Sequence, residues 1–159
     1  MMSELLVGVG KSGSTVLRSR AARRTENPRA NTARTLEAVW VAVQNVDHAA
    51  KQLQSMGFAL GSKQESPALG ANGQEVVCGN GKIVLWQPSR RTSPLSTLIE
   101  NQGLGPFGFE VEVADLKRAK EIVEHETGTR MMIRARDSKN SFIVPGNLAA
   151  GAWIEFFQK

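Results

Sequence analysis

The stretch Phe107-Gly-Phe-Glu-Val-Glu-Val-Ala-Asp-Leu-Lys-Arg-Ala-Lys-Glu-Ile-Val123 changes its apolar period halfway along. Up to Val113 apolar and polar residues alternate, the period of a half-buried strand. Beyond it Leu116, Ala119, Ile122 and Val123 fall on one stripe of a helix. Asp115 stands where an N-cap belongs, and Gly128 closes the helix. The same switch occurs 70 residues earlier. Leu36-Glu-Ala-Val-Trp-Val-Ala-Val43 reads as a strand, and Asn45 or Asp47 can cap. Ala49, Ala50, Leu53 and Met56 then mark a helix over 47–56 that Gly57 ends. Val43 matches Val113, and Asn45 matches Asp115. Two late strands, Ile83-Val-Leu-Trp-Gln87 and Ile154-Glu-Phe-Phe-Gln158, lie 71 residues apart, each after a glycine, Gly81 and Gly151. Residues 74–78, 130–135 and 141–144 supply further strands. Each half thus reads strand, helix, strand, strand, strand, an internal duplication. The expected class is α+β, two βαβββ modules at about 36–88 and 106–158. Residues 88–106, with Pro88, Pro94, Gly103, Gly105 and Pro106, read as a loop crossing between them.

The chain has 159 residues and a net charge of +5. The charge is not spread evenly. Residues 1–35 hold seven basic and two acidic groups, and residues 36–159 hold 13 of each. The basicity therefore belongs to an N-terminal arm, expected to be flexible, and the neutral body argues against a nucleic-acid-binding core. In the arm, Gly8-Val-Gly-Lys-Ser12 matches only part of a phosphate-binding loop, because Leu5 stands where the first glycine belongs. The arm's composition fits an organellar transit peptide or a plain basic tail. No apolar run approaches the roughly 18 residues of a membrane span. The one cysteine, Cys78, excludes an intramolecular disulfide and points to a reducing compartment, with the cytoplasm as the expectation.

The strings Val41–Asp47, Gly57-Phe58, Phe109–Leu116 and Gly151–Phe156 together resemble the vicinal oxygen chelate superfamily: glyoxalases, extradiol dioxygenases and bleomycin-resistance proteins. The resemblance spans residues 36–158. It implies that the modules curl into a cup-shaped mixed sheet, helices outside and ligand inside. It also implies metal ligands at four strand positions, which here are Ala38, Val84, Gly108 and Glu155. Only Glu155 carries a ligand atom, so metal and other cofactors are not expected. His48 and His125 lie on the two helices, outside the cup.

Alternation then assigns faces. Ala38, Val84 and Gly108 bring Trp40, Trp86 and Glu110 to the cup, and Glu155 brings Trp153 and Phe157. The opposite faces, Val39, Val41, Ile83, Leu85, Val111, Ile154 and Phe156, come out uniformly apolar. Three tryptophans beside Glu110 and Glu155 suit an aromatic or cationic organic molecule. The leading expectation is therefore a metal-free small-molecule binding protein, akin to the resistance-protein branch. The alternatives are a lyase or isomerase with Glu155 as base or metal ligand, and a structural module that dimerises. Exposed sheet edges make a homodimer the expected partner state.

Overall fold

The computed structural model describes residues 31–136 and 139–159. The arm up to residue 30, with its Gly8–Ser12 run, lies outside them. Module one comprises β1 (Ala33–Ala42), α1 (Val46–Ser55), β2 (Ala59–Ser66), β3 (Ala71–Cys78) and β4 (Gly81–Pro88). A helix α2 (Pro94–Gln102) follows. Module two comprises β5 (Gly105–Val113), α3 (Leu116–Thr127), β6 (Arg134–Arg136), β7 (Lys139–Val144) and β8 (Trp153–Gln158). All eight strands join one mixed sheet, ordered β2-β3-β4-β1-β5-β8-β7-β6 and curled into a half-barrel. Within each module the first and last strands pair in parallel, β1 with β4 and β5 with β8. The modules meet where β1 and β5 run antiparallel.

The duplication is visible in hydrogen bonds. Asn45 Oδ1 accepts from the His48 amide at 2.8 Å, and Asp115 Oδ1 accepts from the Arg118 amide at 2.9 Å. These caps satisfy donors that the first helical turn leaves unpaired. The glutamine late in each module's last strand does the same for the first amide of that turn, two residues earlier. Gln87 Oε1 accepts from the Val46 amide, and Gln158 Oε1 from the Leu116 amide, at 2.9 and 3.1 Å. Each helix is thereby locked to its own parallel strand pair.

Helices α1 and α3 pack on the outer face. Val46 and Ala50 meet Val76 and Leu85, while Leu116 and Ala119 meet Val113, Phe142 and Phe156. Helix α2 does not. Its Leu95 and Leu98 join Trp40, Trp86, Val84 and Phe107 in a cluster on the concave face. The reading of 88–106 as a loop is corrected here. Pro94 and Gly103 punctuate a helix instead of breaking one: Pro94 occupies its first turn, Ser93 Oγ accepts from the Ser96 amide, and Gly103 follows its last residue. Two further differences are smaller. β1 starts at Ala33 rather than at residue 36, because Ala33 and Thr35 still pair with Val113 and Glu112 of β5. β2 had no apolar signature, being a mostly exposed edge strand.

Candidate functional site

A cavity of about 1180 Å³ opens on the concave side, between the outer strands of the two modules. One wall comes from β2 and β3, with Gln64, Glu65, Asn72 and Gly73. The other comes from β6, β7 and β8, with Arg134, Ser141, Ile143, Trp153 and Glu155. The volume suits a drug-sized organic ligand.

Glu155 is the notable group in this wall. It is 6% exposed, and its Oε1 accepts a 2.7 Å hydrogen bond from Ser141 Oγ, itself 6% exposed. No ion pair to it exists among the described residues. A buried carboxylate normally has a cation or several donors. Here the partner is a neutral hydroxyl, and the side chain borders open volume.

Of the residues expected to bind ligand, Trp153 lines the cavity and is half-buried. Trp40 and Trp86 face the concave side, as alternation requires, but each is 0% exposed. They do not line the cavity. Their rings meet edge to face at 5.8 Å, and α2 covers them. The expected cup lined by three tryptophans is thus corrected to one at the cavity and two in a sealed core. Ala38 and Val84 belong to that same core. Glu110 is half-buried, accepts from Trp40 Nε1 at 2.8 Å, and neighbours Glu155 across the β5–β8 ladder. Phe157 is 2% exposed, with Lys139 Nζ 4.6 Å from its ring centre.

Ala38, Val84 and Gly108 bring no donor for a metal, and the described residues hold no cluster of three or more His, Cys, Asp or Glu. Gly108 cannot have a side chain in this packing. A Cβ there would lie 2.5 Å from the Trp153 carbonyl oxygen and 3.0 Å from the Trp40 ring. His48 and His125 are exposed on α1 and α3.

The wall carries charges of both signs. Three cations, Lys63, Arg130 and Arg134, line it together with Asp47, Glu65 and Glu155. Lys63 pairs with Asp47 at 3.4 Å. Glu124 on α3 anchors the approach to β6 through the amide of Met131, which lines the cavity. It accepts from Lys120 at 2.8 Å and from the Met131 amide at 2.6 Å, and these bonds, Lys120 first, hold its carboxyl below the usual range. Ser141 and Arg134 lie within the strand candidates 141–144 and 130–135, whose sequence pattern does not tell which face meets the cavity.

No family model matches the chain, and no curated protein does. Solved structures do match in fold. Methylmalonyl-CoA epimerase from Mycobacterium tuberculosis aligns with a TM-score of 0.68 at 19% identity, over 80% of this chain and 89% of that one. A variant of the Streptomyces coelicolor methylmalonyl-CoA epimerase, in complex with 2-nitronate-propionyl-CoA, aligns with a TM-score of 0.69 at 14% identity, over 80% and 95%. A hypothetical protein from Bacillus halodurans C-125 gives 0.61 and 18%, over 79% and 94%. The chain therefore shares the fold of these structures, which is consistent with the paired βαβββ arrangement of the vicinal oxygen chelate proteins. Among the described residues, no helix is long and apolar enough to cross a membrane.

Proposed function

We propose that the cleft binds a small organic molecule without a metal ion and that Glu155 transfers a proton on it, an isomerase-type reaction. The carrying observation is Glu155 itself: 6% exposed, in the wall of a ligand-sized cavity, bonded to one neutral hydroxyl. In such a site a carboxylate takes the proton from a carbon beside a carbonyl. The C–H electron pair moves onto the carbonyl oxygen, and the proton returns to the same or a neighbouring carbon. Ser141 fixes one carboxylate oxygen. Trp153 offers a flat face for the substrate. The epimerase neighbours support an isomerase over a lyase at the level of fold, and acyl thioesters are therefore included among the compounds to be tried.

A second reading is favoured by the packed metal positions: a binding protein that performs no chemistry. Exchange into deuterium oxide separates the two. Carboxylic acids, ketones and acyl thioesters with an acidic C–H are incubated with the protein and excess chelator, and the signal is followed by NMR. Protein-dependent loss of one C–H signal supports proton transfer. Binding without exchange supports sequestration.

A further inference from the structure

Arg134 and Ser141 are Cα partners across the β6–β7 ladder. Directly paired residues of neighbouring strands project from the same face of a sheet. Ser141 projects to the concave side, where it holds Glu155, so Arg134 stands next to it on that side. The next strand carries Glu155. Carboxylate, hydroxyl and guanidinium thus lie in sequence across three adjacent strands, β8, β7 and β6. Two strand spacings, roughly 10 Å, separate the backbones of β8 and β6.

The three cations at the cleft differ in what they already hold. Lys63 pairs with Asp47. Arg130 lies close enough to Glu124 to lower its pKa. Arg134 is exposed, lines the cavity, and has no hydrogen-bonded or ionic partner among the described residues. A guanidinium presents a planar fork that matches a carboxylate with two parallel hydrogen bonds.

We infer that Arg134 is the anion-binding residue of the cleft and that its ligands are small organic acids. The carboxylate sits on Arg134, the flat or apolar part lies against Trp153, and the acidic C–H is directed at Glu155. The inference rests on the cleft being a small-molecule site. It keeps the aromatic ligand that the sequence suggests and replaces the cationic one with an anion.

Phenylacetate, its neutral amide and benzyltrimethylammonium have one ring and three charges. Each is titrated into the full-length ¹⁵N-labelled protein, wild type and the variants Arg134→Ala, Arg134→Lys and Lys117→Ala. Lys117 lies exposed on α3, away from the cleft. The acid is expected to bind about tenfold or more tightly than the amide, with shifts at Trp153 and Ser141. Arg134→Ala removes the preference, Arg134→Lys keeps part of it, and Lys117→Ala leaves it intact. Equal binding of acid and amide, tighter binding of the cation, or an unchanged preference in Arg134→Ala overturns the inference while leaving the cleft as a binding site. Binding of none of the three at millimolar concentration counts against both.

Discussion

The two modules share one topology and differ in what their concave faces carry. In module one the middle of the face is a closed core of Trp86, Val84, Ala71 and Leu69, joined by Trp40 and packed under Leu95 and Leu98 of α2, and only residues such as Gln64, Asn72 and Gly73 of β2 and β3 border the cavity. In module two the corresponding face carries Trp153, Glu155 and Ser141 against open volume. The pairs are equivalent by the repeat: Val84 with Glu155, and Trp40 with Glu110. The last two even meet across the module boundary, indole N–H to carboxylate. The repeat therefore dictates the frame, and single side chains decide whether a face becomes core or site. α2 sharpens the asymmetry, because among the described residues it is the one α-helix on the concave side.

The largest effect separating the modules should be on stability. Trp86→Ala removes a fully buried ring and should cost about 3–5 kcal/mol, read as a shift in chemical denaturation. Trp153→Ala, at the half-buried rim, should cost less than half of that. Equal costs would mean that module two is as closed as module one. Next comes the seal. Leu95 is 0% exposed, and Leu95→Ala should lose about 2–5 kcal/mol and raise acrylamide quenching of the tryptophans. Unchanged quenching would show that α2 does not cover Trp40 and Trp86.

Gly73 gives a smaller effect. A Cβ there would lie 2.6 Å from the Trp86 ring, so Gly73→Ala should cost about 1–3 kcal/mol through overpacking, measured by thermal melting. The smallest effect concerns Glu124 on α3. Its folded pKa is lowered from 4.5 by Lys120 and the Met131 amide. A depressed carboxyl adds stability that is present above the unfolded value and is lost as pH falls through the folded one. Wild type should therefore melt slightly above Glu124→Gln at neutral pH, and the gap should close in acid. A gap that widens in acid would contradict the assignment.

Much of this frame could be read from residue spacing. Both helical stripes and the inward faces of β1, β4, β5 and β8 follow from periods of 3.6 and 2, and residue type marks Asp115 as one cap while leaving Asn45 and Asp47 open for the other. The misses have physical causes. β2 is an edge strand with mostly exposed side chains, so burial imposed no alternation on Ala59–Ser66. α2 hid behind its own punctuation, because proline at a first turn and glycine after a last turn also mark loops. The closure of Trp40 and Trp86 depends on α2 docking, a contact between segments that no local pattern encodes. Arg134 and Ser141 acquire meaning only through the β6–β7 register, which fixes both residues on the face that holds Glu155.

The most direct test of the central claim compares proton exchange by wild type and Glu155→Gln on any compound that the cleft binds. The substitution keeps the side chain's size and its ability to accept from Ser141, and removes the base. Exchange into deuterium oxide should fall at least about 100-fold while ligand-induced NMR shifts persist. Exchange that continues at the wild-type rate in Glu155→Gln would contradict the account.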